Sequence, residues 1–339
     1  AKEADVVLGA ASTPEHPVWF PGARLNIAES CFLADSDSIA VRYQVAGEIR
    51  EITYGEMQRE ANRVANGLNN LGISEGDPVA IAMPMNLEAV LTYLGIVLAG
   101  AVVVSIADSF APEEIATRLR IAGTGTVVTQ DVIRRGDKTL PMYDKVVAAG
   151  ADRAIVVGTG AEVSLRSGDI TWSDLLSVDT EFEAVLRDPG DHMNILFSSG
   201  TTGDPKAIPW TQLSPLKAAS DAHYHQDVHP SDVVAWPTNL GWMMGPWLIY
   251  SSFVNRATMA LTDEIPTGSD FARFVEAAGV TVLGLVPSLV AAWRSSGAAE
   301  SCDWSAIRLF SSTGEAANPP DMAYLMDLAD NKPVIDYIG

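Results

Sequence analysis

The chain has 339 residues, 43 acidic and 22 basic, for a formal net charge of −21. A surface this negative repels nucleic-acid phosphates and anionic lipid, which excludes both as main partners. Hydrophobic residues make up 47% of the chain, enough at about 100–200 residues per domain for two or three packed units, and Cys31 and Cys302 are too few and too far apart for a disulfide framework.

The sequence opens at Ala1 without a methionine and stops inside an apolar run, Pro333 to Gly339, as a segment of a longer protein would. No charged stretch followed by an apolar one begins it, so no secretory signal is expected. Thr53-Tyr54-Gly55-Glu56 reads as a capping box, and Met57, Ala61, Val64, Ala65, Leu68 and Leu71 follow at helical spacing until Gly72. A strand is expected at 79–83. Ala89 to Ala107 carries no charge over nineteen residues, close to the ~20 that cross a bilayer. Gly95, Gly100 and the absence of basic flanks favour a buried helix from Asn86 to Ala99 and a β-branched strand at 102–106 instead. A helix opened by Pro112-Glu113-Glu114 and a strand at 126–129 continue the alternation, which argues for mostly parallel sheets covered by helices. The turn-rich Arg187 to Asp191 is taken as the boundary between an α/β subdomain at 1–190 and a second at 191–339. Beyond it a βα rhythm is expected, with helices at 270–278, 288–293 and 320–329 and strands at 281–286, 308–311 and the terminus.

The chemistry is expected in one loop. Apolar Met193 to Phe197 gives way to Ser198-Ser199-Gly200-Thr201-Thr202-Gly203-Asp204-Pro205-Lys206. Two glycines allow close backbone approach, hydroxyls and N–H groups donate to phosphate oxygens, and Lys206 offsets their charge. A polar surface turn would share this composition. No GKS or GKT follows, which excludes a Walker A loop. His223, His225 and His229 suggest a metal cluster at first sight. Only His225 and His229 would share a helical face, and Pro230 ends the segment, so packed or solvated histidines are expected. No GxSxG elbow is present.

The segment Ser198 to Lys206 resembles the phosphate-loop signature of the adenylate-forming (AMP-binding) superfamily. Trp19-Phe20-Pro21-Gly22 with Leu25-Asn26, Ile52-Thr53-Tyr54, Ala82 to Met85, Gly241 to Gly245 and Ser312 to Ala316 are similar in order and spacing to its acetyl-CoA-synthetase-like members. Asn239 to Trp247 resembles the plant peroxisomal acyl-activating enzymes. The resemblance spans essentially the whole chain. It implies the large N-terminal domain of these enzymes, truncated before the C-terminal lid. It also implies ATP-dependent conversion of a carboxylic acid to an acyl adenylate and then to a coenzyme A thioester, with ATP, Mg²⁺ and coenzyme A as cofactors. Carrier-protein loading and a non-catalytic nucleotide-binding relative are the alternatives.

By the same resemblance Ser198, Ser199, Gly200, Thr201, Thr202, Gly203 and Lys206 would hold the β- and γ-phosphates. Gly314, Glu315 and Ala316 would line adenine, with Asp336 and Tyr337 closing that face. Trp242, Met243, Met244, Ile338 and Gly339 would bound the acyl pocket. Gly339 stands where acetyl-specific relatives place a tryptophan, which implies an acid larger than acetate. Ala207 departs from the usual glycine after the lysine. The lid lysine and a Thr-Glu pair that helps bind Mg²⁺ would lie beyond Gly339, so no catalytic side chain and no side-chain metal ligand is assigned. A cytoplasmic or peroxisomal location is expected, with no transmembrane segment.

Overall fold

The computed structural model describes residues 1–339 except 11, 12, 14–16, 136, 137, 199–202, 338 and 339. Its strands are β1 Ile39–Val45, β2 Glu48–Thr53, β3 Pro78–Ala82, β4 Val102–Ile106, β5 Thr126–Gln130, β6 Val132–Arg135, β7 Lys138–Pro141, β8 Arg153–Val157, β9 Ile170–Thr171, β10 His192–Phe197, β11 Ala207–Thr211, β12 Val233–Ala235, β13 Thr258–Leu261, β14 Val282–Leu285, β15 Leu309–Ser312 and β16 Val334–Asp336. The helices are α1 Tyr54–Asn70, α2 Leu87–Leu98, α3 Pro112–Ala122, α4 Met142–Ala148, α5 Trp172–Leu175, α6 Ser214–His225, α7 Met244–Phe253, α8 Ser269–Ala277, α9 Pro287–Ser296 and α10 Pro319–Leu328.

Two seven-stranded sheets form the frame, ordered β16-β15-β14-β12-β13-β1-β2 and β11-β10-β4-β3-β5-β8-β9. Each is parallel except for one antiparallel pair at an edge, β1 with β2 in the first and β10 with β11 in the second. Sheet membership does not follow the expected boundary near residue 190. The pair at residues 39–53 joins the sheet of the later half, where β1 runs parallel to β13, and the hairpin at 192–211 joins the sheet of the earlier half beside β4. The turn at Arg187 to Asp191 therefore divides the sequence but not the sheets.

Three apolar clusters define five layers. One lies between the sheets and holds the buried faces of α1, α2 and α7; a second packs α8, α9 and α10 on the far side of the first sheet; a third packs α3 and α4 on the far side of the second. The central position of α2 explains its composition. Every residue from Ala89 to Leu98 is buried, Asn86 caps its amino end, and Gly100 follows at φ +73°. No helix among the described residues is long and apolar enough to cross a membrane. The capping box of α1 forms as expected, Thr53 accepting from the Glu56 amide and Glu56 from the Thr53 amide. Asn26, 2% exposed, donates to the carbonyls of Val97, Leu98 and Val185, tying the N-terminal segment to the end of α2.

At the amino ends of the first sheet, Arg308 donates to both carboxylate oxygens of Asp232 (2.8 and 2.7 Å), and the Thr281 hydroxyl and His229 amide add further bonds. Burial pushes the Asp232 carboxyl up, but these donors outweigh it and hold it below its ordinary value. The folded-state value is the lower one, so the stabilisation is complete above the unfolded value of about 3.9 and is lost as pH falls through the folded value. Asp232→Asn is expected to cost roughly 2–4 kcal/mol in urea denaturation at neutral pH, and to flatten the wild-type fall in stability below about pH 4.

Candidate active site

In open α/β sheets, ligands gather outside the carboxyl ends of the strands. Those ends here carry Ala107 and Asp108 (after β4), Ser198 (after β10), Trp236 to Asn239 (after β12), Thr313 to Ala316 (after β15) and Tyr337 (after β16). Ser198, Gly314, Glu315, Ala316 and Tyr337, all singled out from sequence, fall on this edge.

The phosphate-loop candidate is the tip of the β10–β11 hairpin. Phe197 pairs with Ala207, the Ser198 amide donates to the Lys206 carbonyl (3.0 Å), and the Lys206 amide donates to Ser198 Oγ (3.1 Å). Ser199, Gly200, Thr201 and Thr202 lie outside the described residues. Helix α3 braces the hairpin at two points. Arg120 pairs with Asp204 at 3.1 Å, and the buried Arg118 guanidinium lies 3.8 Å from the Phe110 ring centre and 5.6 Å from that of Phe197. Burial lowers the Arg118 pKa from its ordinary value. Lys206 is exposed and has no ion-pair partner among the described residues, which leaves its charge available to an anion.

On the other sheet, β15 and β16 pair with Ser312 beside Asp336. The Tyr337 amide donates to the Ser312 carbonyl (3.1 Å) and Thr313 Oγ1 to the Tyr337 carbonyl (2.7 Å), which brings Gly314, Glu315 and Ala316 alongside Asp336 and Tyr337. Gly314 has φ +90°, a conformation that favours glycine. Glu315 accepts from the Ser288 amide (2.8 Å) and hydroxyl (2.9 Å) in the first turn of α9, so its carboxylate is committed to fixing the loop. Burial raises the Tyr337 hydroxyl well above its ordinary range, and it donates to Met244 Sδ at 3.7 Å.

Asn239 to Trp247 connects the sheets. Asn239 Nδ2 donates to Asp108 Oδ1 (3.0 Å) and Asn239 Oδ1 accepts from the Gly241 amide (3.0 Å). A Cβ on Gly241 would lie 2.1 Å from the Ala107 nitrogen, and one on Gly245 2.3 Å from the Asn239 carbonyl oxygen, so both positions require glycine for close backbone approach. Beside this turn is a cavity of about 510 Å³ whose walls include Met243, Trp247, Ile335 and Tyr337 together with Trp210 of β11 and one face of α6.

Within the expected acyl pocket the structure separates the side chains. Met243 lines the cavity. Met244, 8% exposed, lies behind Tyr337. Trp242 does not line it; the residue is 47% exposed and its ring sits 6.2 Å from Phe110. With Gly241 pressed on Ala107, the next side chain is carried toward the end of β4. Ile338 and Gly339 lie outside the described residues. Sequence reasoning missed Trp210, Ile335 and the α6 face comprising Ser214, Lys217, Ala218, Asp221 and His225. Their spacing of three and four is a helical stripe, legible had polar residues been tested for periodicity. The histidines also differ from expectation. Helix α6 ends at His225 and Asp227 turns with φ +55°, so His229 shares no helical face with His225 and instead packs its ring 5.2 Å from His223.

Residues 32–339 match the family model described as AMP-binding enzyme, and the chain belongs to that family. It is 49% identical over 337 residues to the probable acyl-activating enzyme 17, peroxisomal, of Arabidopsis thaliana, covering 95% of this chain and 47% of that protein. It is 45% identical over 344 residues to the hexanoyl-CoA synthase of Cannabis sativa, with 97% and 48% coverage. The acetoacetyl-CoA synthetase structure from Streptomyces lividans superimposes with a TM-score of 0.91 at 28% identity, covering all of this chain and 55% of that one. The fold is thus that of the N-terminal part of acyl-CoA synthetases, and the chain spans about half the length of these relatives.

Gly241→Ala is expected to cost roughly 1–3 kcal/mol through forced backbone displacement, and to change Trp242 fluorescence. Gly190→Ala, where an added Cβ meets nothing within 4 Å, is the control expected to leave thermal unfolding and fluorescence unchanged.

Proposed function

We propose that the full-length protein activates a carboxylic acid with ATP and passes the acyl group to coenzyme A. The acid's carboxylate oxygen attacks the α-phosphorus of ATP, pyrophosphate leaves, and the thiol then attacks the acyl carbonyl to form the thioester and release AMP. A carboxylate is a poor electrophile, and making its oxygen part of a phosphate leaving group allows the thiol to react. Catalysis of the first step is chiefly positioning and charge neutralisation.

The observation that carries this reading is the placement of the β10–β11 hairpin connection at the carboxyl edge of one sheet and of the Gly314 to Ala316 and Tyr337 surfaces at that of the other, with Tyr337 also lining the 510 Å³ cavity, within a member of the AMP-binding enzyme family. The donors present suit a polyphosphate: Ser198 and Lys206, which has no ion-pair partner among the described residues, supply a hydroxyl and a positive charge that locally offset the field of a chain of net charge −21. Mg²⁺, held through the ATP phosphates, would neutralise charge developing on the departing pyrophosphate. Gly314, Glu315 and Ala316 would face adenine, with Asp336 and Tyr337 beside them. Met243, Trp247 and Tyr337 would enclose the acyl chain, in a space larger than acetate needs. The names of the relatives support the same reaction and, for the Arabidopsis protein, a peroxisomal location, which we extend to this one.

Carboxylate-dependent exchange of labelled pyrophosphate into ATP by the full-length protein tests the first step. Hexanoate and arylacetic acids are expected to support faster exchange than acetate, and an acetate preference would refute the size reading. Lys206→Ala is expected to lower kcat/KM about 10- to 100-fold through loss of a charge-assisted contact, with unfolding temperature unchanged.

A further inference from the structure

From Ser198 to Lys206 the only charged residues are Asp204 and Lys206, so the segment has no net charge of its own. A polyphosphate drawn to Lys206 would meet a carboxylate two residues away in sequence, and like charges held close together are costly.

The structure sets a second cation on that carboxylate. Arg120, in the last turn of α3, donates from Nη2 to Asp204 Oδ2 at 3.1 Å. Arg118, two residues earlier, is buried against Phe110 and Phe197 and donates to the Glu114 carbonyl at 2.9 Å, so Arg120 is the one of the two that meets the loop. Helix α3 covers the second sheet on the face turned away from the first. The pair therefore draws the Asp204 carboxylate toward that outer face, whereas the Gly314 and Tyr337 surfaces belong to the other sheet. The two side chains are 65% and 69% exposed, and a pair so open to water adds little to folding stability. Its consequence is electrostatic: counted with Arg120 the hairpin tip carries one net positive charge, and without it none.

Resting on the acid-activating reading above, we infer that Arg120 is a positioning residue for ATP: it neutralises Asp204 and holds it to α3, so that Lys206 meets the polyphosphate without a competing carboxylate. Arg120 acts through Asp204 and does not touch phosphate, so the effect of removing it depends on that carboxylate being present.

The test is pyrophosphate exchange by the full-length protein with the acid it uses best, read as the KM for MgATP. Arg120→Ala is expected to raise this KM about three- to tenfold with kcat changed less than about twofold, and the ratio to wild type should shrink between about 0.05 and 0.3 M salt. Asp204→Asn alone should leave the KM equal or lower, and the double variant should return to the wild-type value. Arg120→Lys, which keeps the charge, should stay near wild type. Arg120→Gln repeats the deletion should the alanine variant fold poorly by circular dichroism. An unchanged KM in both deletions, a double variant as impaired as Arg120→Ala, or a raised KM in Asp204→Asn would overturn the proposal while leaving adenylation standing. The second of these results would mean that Arg120 contacts phosphate or only braces the hairpin, and the third that the carboxylate itself is used. If no acid supports exchange, calorimetric Kd values for MgATP across the same variants decide the role of Arg120; no uptake of MgATP by the wild type would refute the ATP reading and this proposal with it.

Discussion

The geometry depends on a backbone contact in which no side chain can take part. Gly241 sits so close to the Ala107 nitrogen that a methyl group would have no room, and the neighbouring Asn239 to Asp108 hydrogen bond holds the approach in register. Ala107 ends a strand of one sheet and Gly241 belongs to the connection leaving a strand of the other. The contact therefore brings the carboxyl edges of two separately hydrogen-bonded sheets together. With the Asn239–Asp108 bond and the Trp242–Phe110 contact, it ties the sheet of the β10–β11 hairpin to the sheet of Tyr337 at this edge. The apolar layer between the sheets holds them face to face, but such packing is non-directional; the glycine contact supplies the direction.

Charge is handled locally. A chain of net charge −21 opposes any polyphosphate at long range, yet the hairpin is set among cations. Arg118 is buried against Phe110 and Phe197, Arg120 pairs with Asp204, and Lys206 has no ion-pair partner among the described residues. The aromatic faces matter because a buried guanidinium without a carboxylate partner would be costly, and ring faces recover part of the lost solvation. Arg120 is differently placed, since its pair with Asp204 is largely exposed and contributes little to stability. Its effect is to discharge the one acidic group in the loop.

Much of the frame was legible because the sequence signals were strong. The Thr53 capping box, the uncharged run around α2 and the β-branched β4 each state their element by a local rule. The interleaving of the sheets was not legible. In β1 the pattern Arg42-Tyr43-Gln44 is polar because the strand is only partly buried, and β12 is just three residues long; their partners are chosen by tertiary packing far away in sequence. The segments around Gly314 and Tyr337 were singled out as motifs, and the structure sets them side by side through the β15–β16 pairing. The α6 wall was not, because hydrophobic periodicity registers faces that bury apolar groups, whereas Ser214, Lys217, Asp221 and His225 form a stripe of polar ones. Trp242 shows the converse limit. A motif places a tryptophan at the pocket, but which side its ring takes is set by how the preceding glycine meets the other sheet.

The two sheets divide the work unequally. The second contributes the hairpin, which α3 braces near Phe197 and Asp204 and whose strand β11 also places Trp210 in the cavity wall. The first contributes the Gly314 loop and Tyr337, and with α7 it supplies one side of the cavity, whose other side is α6 and Trp210. Tyr337 belongs to both the Gly314 surface and the cavity wall. Its backbone is tied to Ser312 and Thr313 beside the Gly314 loop, while its ring lies near Trp236 and its hydroxyl meets Met244. Trp236 is itself seated on Gly284, where a Cβ would fall inside the indole ring, and meets Trp247 edge-on at 5.8 Å. A single packed column thus runs from β14 through Trp236 to Tyr337 and Trp247, both of which line the cavity. Tyr337 and Trp236 pack ring against ring, so on the reading proposed above a change at the cavity wall would bear on the surface beside Gly314.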